Sequence, residues 1–221
     1  MVFKAAAYGV VSLLVYLGAL LMSTAPAYAA QAAERDVHIL AFGDSLFAGY
    51  GLPTSQGFAP QLQDALRRNG VRAHVTNAGV SGDTSTGGRG RLAWTLDGLK
   101  AKPDLVIVEL GANDLLRGVP PAVTRGNIDA ILAELKKRNL PTVVAGMLAP
   151  PQVGPTYQRA FNSLYPELAA KYGAPLYPFI LNGVVGNRAL VLPDNVHPNA
   201  AGVRRMVTGM LPVVQGALPK S

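Results

Sequence analysis

Ile39-Leu40-Ala41-Phe42-Gly43-Asp44-Ser45-Leu46-Phe47-Ala48-Gly49-Tyr50-Gly51 is an apolar run that breaks into a serine flanked by small and polar residues. Strands of a parallel sheet are buried on both faces and read as unbroken apolar runs, and such sheets take up ligands just beyond their carboxyl ends. Residues 37–42 fit that description, which leaves Ser45 past the end of a strand as a candidate nucleophile. A serine hydroxyl does not attack a carbonyl unaided. It needs a histidine base, a group that orients the histidine, and donors for the oxyanion.

Working outward from this stretch, strand and helix patterns alternate to the end of the chain. Strands are expected at 37–42, 71–76, 104–110, 142–148 and 174–179. Between and after them, apolar residues at helical spacing predict helices over 58–69, 84–100, 120–138, 157–172 and 199–216. Gly87, Gly88 and Gly90 weaken the second helix, and Pro166 is expected to interrupt or offset the fourth. Residues 77–83 and 149–155 read as loops, and Gly111-Ala112-Asn113-Asp114 breaks the third strand. Regular alternation of this kind predicts one α/β domain, a three-layer α/β/α sandwich around a central five-stranded parallel sheet.

The chain has 221 residues, 49% hydrophobic and 15% charged, with no repeat or low-complexity tract. Its net charge is +7, but the basic residues are scattered, and the Arg67-Arg68 and Lys136-Lys137-Arg138 clusters fall where cations complement helix C-termini. Nucleic-acid binding is therefore not expected, whereas a peripheral contact with an anionic membrane surface stays open. Lys4, the uncharged and largely apolar residues 5–22, and Ala27-Tyr28-Ala29 make an export leader cleaved after Ala29. The expected organisation is a signal peptide at 1–29, a short linker at 30–36 and a hydrolase domain at 37–221, exported to the periplasm or the medium. Because the apolar run approaches the length of a membrane span, a retained N-terminal anchor is the alternative. The absence of cysteine excludes disulfides, thiolate catalysis and cysteine-ligated metals.

Three histidines can be sorted by position. His38 starts a strand and His74 lies within one, whereas His197 sits in a loop three residues after Asp194. On one tight loop Asp194 can accept from imidazole Nδ1 and present Nε2 to Ser45, with Pro198 keeping His197 out of the following helix. The alternative makes Asp194 a turn residue and His197 the residue that leads into the helix. For the oxyanion, the Ser45 N–H, the Gly79 N–H and the Asn113 side-chain amide are candidate donors, since all three end strands at one sheet edge. A turn role for Gly79 and a capping role for Asn113 compete with that reading. Asp44, Asp83, Glu109 and Asp114 are taken as capping and loop residues, and the Gly87–Arg91 run as helix surface or a flexible segment.

Gly43-Asp44-Ser45-Leu46, Gly79, Gly111-Ala112-Asn113-Asp114 and Asp194-x-x-His197 resemble, in order along the chain, the four motif blocks of the SGNH (GDSL) hydrolases. The longer runs at 81–85, 109–114 and 197–202 are similar to bacterial arylesterases and multifunctional thioesterase/lysophospholipases. The resemblance implies a flavodoxin-like fold and hydrolysis of esters or thioesters without metal or cofactor. It also implies a triad of Ser45, Asp194 and His197, with Ser45, Gly79 and Asn113 as oxyanion hole. The expected partner is a small-molecule ester or lipid, with no obligate protein partner. Tyr50, Leu52, Pro53, Leu115, Leu116 and residues 149–155 are candidates for an acyl groove. A carbohydrate O-deacetylase and a non-catalytic lipid- or glycan-binding module are the alternatives, since neither needs a different fold.

Overall fold

The computed structural model describes residues 36–219, so the expected leader and most of the expected linker lie outside the described residues. Five parallel strands form one sheet in the order β2-β1-β3-β4-β5: β1 (Val37–Gly43), β2 (Ala73–Gly79), β3 (Leu105–Glu109), β4 (Thr142–Ala145) and β5 (Leu176–Tyr177). The helices are α1 (Ser45–Ala48), α2 (Phe58–Arg68), α3 (Ser85–Asp97), α4 (Ala112–Leu116), α5 (Pro121–Lys137), α6 (Pro155–Tyr172) and α7 (Ala200–Ala217). One helical group pairs α2 with α7, and the other joins α3, α5 and α6. The sandwich expected from the alternation is therefore present.

Centrality explains the composition of the strands. β3 lies between β1 and β4, and Leu105, Val106, Ile107 and Val108 are all buried, as are Ile39 to Phe42 of β1. Burying each large apolar side chain contributes about 1.5–3 kcal/mol relative to exposure. Strand order reverses between β1 and β3, and at such a switch point loops part to leave a crevice past the carboxyl ends. Ser45 follows β1 and Asn113 follows β3, so both stand at that crevice.

Three sequence expectations are corrected. β2 begins and ends later than 71–76 and includes Asn77, Ala78 and Gly79, because the carboxyl end of β1 pairs with it as far as Gly43 opposite Gly79. Its polar edge-strand composition reads as loop, but the backbone pairing with β1 decides the conformation. Pro166 does not interrupt α6, which runs unbroken from Pro155 to Tyr172. An internal proline costs a helix about 3 kcal/mol, and burial of Phe161, Leu164, Tyr165, Leu168 and Ala169 along one side offsets it. Residues 112–116, expected only as a break, form the one-turn helix α4.

Candidate active site

The Ser45 turn is built from its neighbours in the sheet. Gly43 pairs with Gly79 on one side and with Glu109 on the other, so the ends of β2, β1 and β3 are level. The chain then enters α1 with Asp44 as its cap, whose Oδ1 accepts the Leu46 N–H at 3.0 Å. Ser45 is the first residue of α1, where a backbone N–H has no intrahelical acceptor and is left to face a ligand. Gly79 lets this turn settle against β2: a Cβ there would run into the Ala48 N–H and come within 2.6 Å of the Phe47 carbonyl carbon.

The expected base, His197, comes from the other end of the chain. Asp194 Oδ1 accepts the Val196 N–H at 2.9 Å and the His197 N–H at 3.0 Å, while Asn195 supplies the left-handed residue (φ 57°) that the turn requires. A bridge between Val191 and Pro198 closes the loop, and Asn199 caps α7 by accepting from the Ala201 and Gly202 N–H groups. In this frame His197 Nδ1 lies 2.7 Å from Asp194 Oδ2, and Nε2 lies 3.0 Å from Ser45 Oγ. The imidazole contact, with the two backbone N–H groups, holds the Asp194 carboxyl down at about 2. Asp194 is therefore a carboxylate through the whole neutral range.

Asn113 sits at the same crevice, but its amide is engaged. Nδ2 donates to Asp44 Oδ2 at 3.1 Å and to the Asp83 carbonyl at 2.9 Å. The Gly79 N–H likewise donates to Asn77 Oδ1 at 2.8 Å. Of the three expected oxyanion donors, the Ser45 N–H is the open one, and the other two have protein acceptors that a ligand oxygen has to displace or share.

Ser45, Asn113 and His197 open onto a cavity of about 440 Å³ whose walls include Leu115, Leu116, Met147, Phe179, Leu181 and Val185. The expected groove residues Leu115, Leu116, Ala149 and Pro150 line it, whereas Leu52, Pro53 and residues 151–155 do not. Tyr50 is placed elsewhere, its ring lying on the His197 imidazole with centroids 4.3 Å apart. Met147, Phe179, Leu181 and Val185 follow β4 and β5 and had no sequence signal beyond being apolar residues near strand ends. His38 and His74 stack on one another, with His74 Nε2 3.2 Å from Asp36, in the first half of their strands and away from the crevice.

Residues 41–205 match the GDSL-like Lipase/Acylhydrolase family. The chain belongs to that family. It is 38% identical over 180 residues to the esterase TesA of Pseudomonas aeruginosa, covering 81% of this chain and 89% of that one. It is 36% identical over 169 residues to the thioesterase 1/protease 1/lysophospholipase L1 of Escherichia coli, covering 76% and 78%. Among solved structures, the SGNH-hydrolase family esterase AlinE4 is 49% identical with a TM-score of 0.72, covering 85% of this chain and 99% of that one.

The family's GDSL run, here Gly43-Asp44-Ser45-Leu46, has supports that the sequence did not reveal. Arg91, expected on a helix surface, donates to the Gly43 carbonyl at 2.9 Å and to Asp83 Oδ2 at 2.6 Å, with its guanidinium 4.0 Å from the centre of the Phe42 ring. Asp114 is wholly buried and accepts from Ser85 N–H, Ser85 Oγ and Thr124 Oγ1, tying the helix that carries Asn113 to α3 and α5. Among the described residues no group of histidines and carboxylates is placed to hold a metal ion.

Proposed function

We propose that this chain is a serine ester hydrolase that cleaves carboxylic esters through an acyl-enzyme on Ser45. The observation that carries the reading is the unbroken line Ser45 Oγ, His197, Asp194 at the mouth of an apolar cavity. His197 Nε2 takes the Ser45 proton as Oγ attacks the ester carbon, and the anionic Asp194 stabilises the imidazolium that forms. Negative charge then develops on the carbonyl oxygen. The Ser45 N–H meets it directly, and the oxygen competes with Asn77 Oδ1 for the Gly79 N–H and with Asp83 O for Asn113 Nδ2. His197 returns the proton to the departing alcohol, and a water activated by the same imidazole releases the acid.

The apolar walls favour an acyl or aryl group in the cavity, which makes acyl and aryl esters, thioesters and lysophospholipids the expected substrates. A carbohydrate O-deacetylase is served less well, because few lining side chains could hydrogen-bond a sugar. The sequence of the leader supports export, and exposed Leu116 and Val185 at the mouth would meet a substrate presented in a lipid surface. The test is hydrolysis of p-nitrophenyl esters from acetyl to palmitoyl by the mature protein beside Ser45→Ala. Turnover should fall on the order of 10⁴-fold or more in the variant with the melting temperature unchanged. Undiminished turnover would remove Ser45 from its role.

A further inference from the structure

Beneath the Ser45 turn lie two carboxyl groups that this reaction does not consume. Asp44 is 0% exposed and Glu109, the last residue of β3, is 1% exposed. The Asp44 N–H donates to Glu109 Oε2 at 3.2 Å, which brings the two acids together in the buried space beneath the turn. Glu109 Oε1 is buried without a hydrogen-bond partner, and no cation pairs with either group among the described residues. Arg91, the guanidinium nearest the turn, is committed to Asp83 and to the Gly43 carbonyl. Tyr165 closes the helix side, its hydroxyl donating to the Leu110 carbonyl at 2.9 Å.

The backbone is shaped around this contact. A Cβ at Gly43 would stand 2.7 Å from Glu109 Oε2 and 2.9 Å from the Phe47 ring, so the glycine before Asp44 reserves the space that the glutamate fills. Two buried carboxylates on adjoining residues, with no cation paired to either among the described residues, are not expected both to stay ionised. Asp44 has the stronger claim on the charge, because it accepts the Leu46 N–H on one oxygen and Asn113 Nδ2 on the other. Glu109 has no such donors beyond one backbone N–H, and an orphaned oxygen is tolerated far better on a neutral acid than on a buried anion. Burial, and then the neighbouring Asp44 charge, push the Glu109 carboxyl well above its ordinary value.

We propose that Glu109 is a positioning residue, held as a neutral carboxylic acid at neutral pH, that anchors Asp44 so that its two oxygens fix the Ser45 turn and the Asn113 amide together. Asp44 touches both the start of α1 and the Asn113 amide, and Glu109 touches Asp44 from the core. The proposal builds on the Ser45 hydrolase reading only for its kinetic consequence. The protonation state can be read without turnover.

The experiment uses the mature protein, Glu109→Gln and Glu109→Ala. Infrared difference spectra at pH 7 should show the carbonyl stretch of a buried protonated carboxyl in the unsubstituted protein and its loss in Glu109→Gln. On p-nitrophenyl esters, Glu109→Gln, a neutral isostere, should keep kcat within about threefold. Glu109→Ala should lower kcat on the order of ten- to a hundredfold with KM little moved, the signature of a displaced turn. A missing infrared band, a Glu109→Gln variant as slow as Glu109→Ala, or a fully active Glu109→Ala would each overturn the proposal. If Glu109→Ala does not fold, Glu109→Gln and the infrared band still decide, and a Glu109→Gln that fails to fold counts against a neutral Glu109. Failure of the hydrolase reading would look different: the unsubstituted protein would leave esters intact and resist a serine-reactive phosphonate, with the infrared band unaffected.

Discussion

Ser45 takes its support from distant parts of the chain, since its cap residue Asp44 is bound by Glu109 and Asn113, 65 and 69 positions away. His197 takes its support from its own loop, where Asp194, three positions back, holds both its backbone N–H and its ring. The first set runs from the core, where the Asp44–Glu109 contact is buried, to the cavity wall, where the Asn113 contact is part-buried. The second is half-open, with 37% of the Asp194 side chain and 21% of the His197 side chain exposed. The difference teaches that the proposed catalytic line can be assembled from a deeply cooperative half and a locally self-sufficient half, and that damage to each should look different.

The largest contrast is expected from Asp194→Asn, which leaves the loop's shape but misorients the imidazole. Activity should drop roughly 10⁴-fold, as for other triads, with only a small, measurable fall in melting temperature at neutral pH. A large thermal loss in that variant would show that the loop is not self-sufficient. Next comes Asn113→Ala, which should cost on the order of 10²–10³ in kcat. Because it also strips Asp44 and the Asp83 carbonyl of a donor, it should lower stability by about 1–3 kcal/mol in chemical denaturation. An Asn113→Ala protein of full stability would break the cooperative half of the comparison.

The smallest effect is the most diagnostic, because the two halves should respond to pH with opposite sign. Asp194 is held down at about 2, so its stabilisation is present above the ordinary carboxyl range and is lost as pH falls through about 2. Glu109 is pushed up, so its contribution is complete below the ordinary glutamate value and is lost as pH rises through its raised one. The melting temperature of the unsubstituted protein minus that of Asp194→Asn should shrink on acidification below about pH 4. The same difference against Glu109→Gln should shrink as pH rises from about 5. Parallel slopes would mean that the two carboxyls are not held as described.

The local half was also the legible half. An aspartate and a histidine three positions apart before a proline can be matched to their geometry by reading alone, and the structure places their atoms 2.7 Å apart. The parallel sheet and the helix alternation were legible too, because burial on both faces leaves β1 and β3 continuously apolar. What the residues did not announce depends on partners far along the chain. Glu109 reads as a polar strand end until β1 is seen beside it, and Tyr50 reads as groove until the last loop brings His197 beneath it. Asn77, which accepts the Gly79 N–H, reads as loop until β1 extends the strand.

The level strand ends have a consequence for how such a gene can change length. Because Gly43 faces Gly79 and Glu109 across adjacent strands, the sheet acts as a ruler read from Val37, and alternate residues point to opposite faces. Deleting one codon between Val37 and Phe42 would turn Phe42 and its neighbours over and draw the serine turn off its rung. Between Asn182 and Pro193, where no strand keeps count, the same deletion would leave the rungs of the sheet where they are.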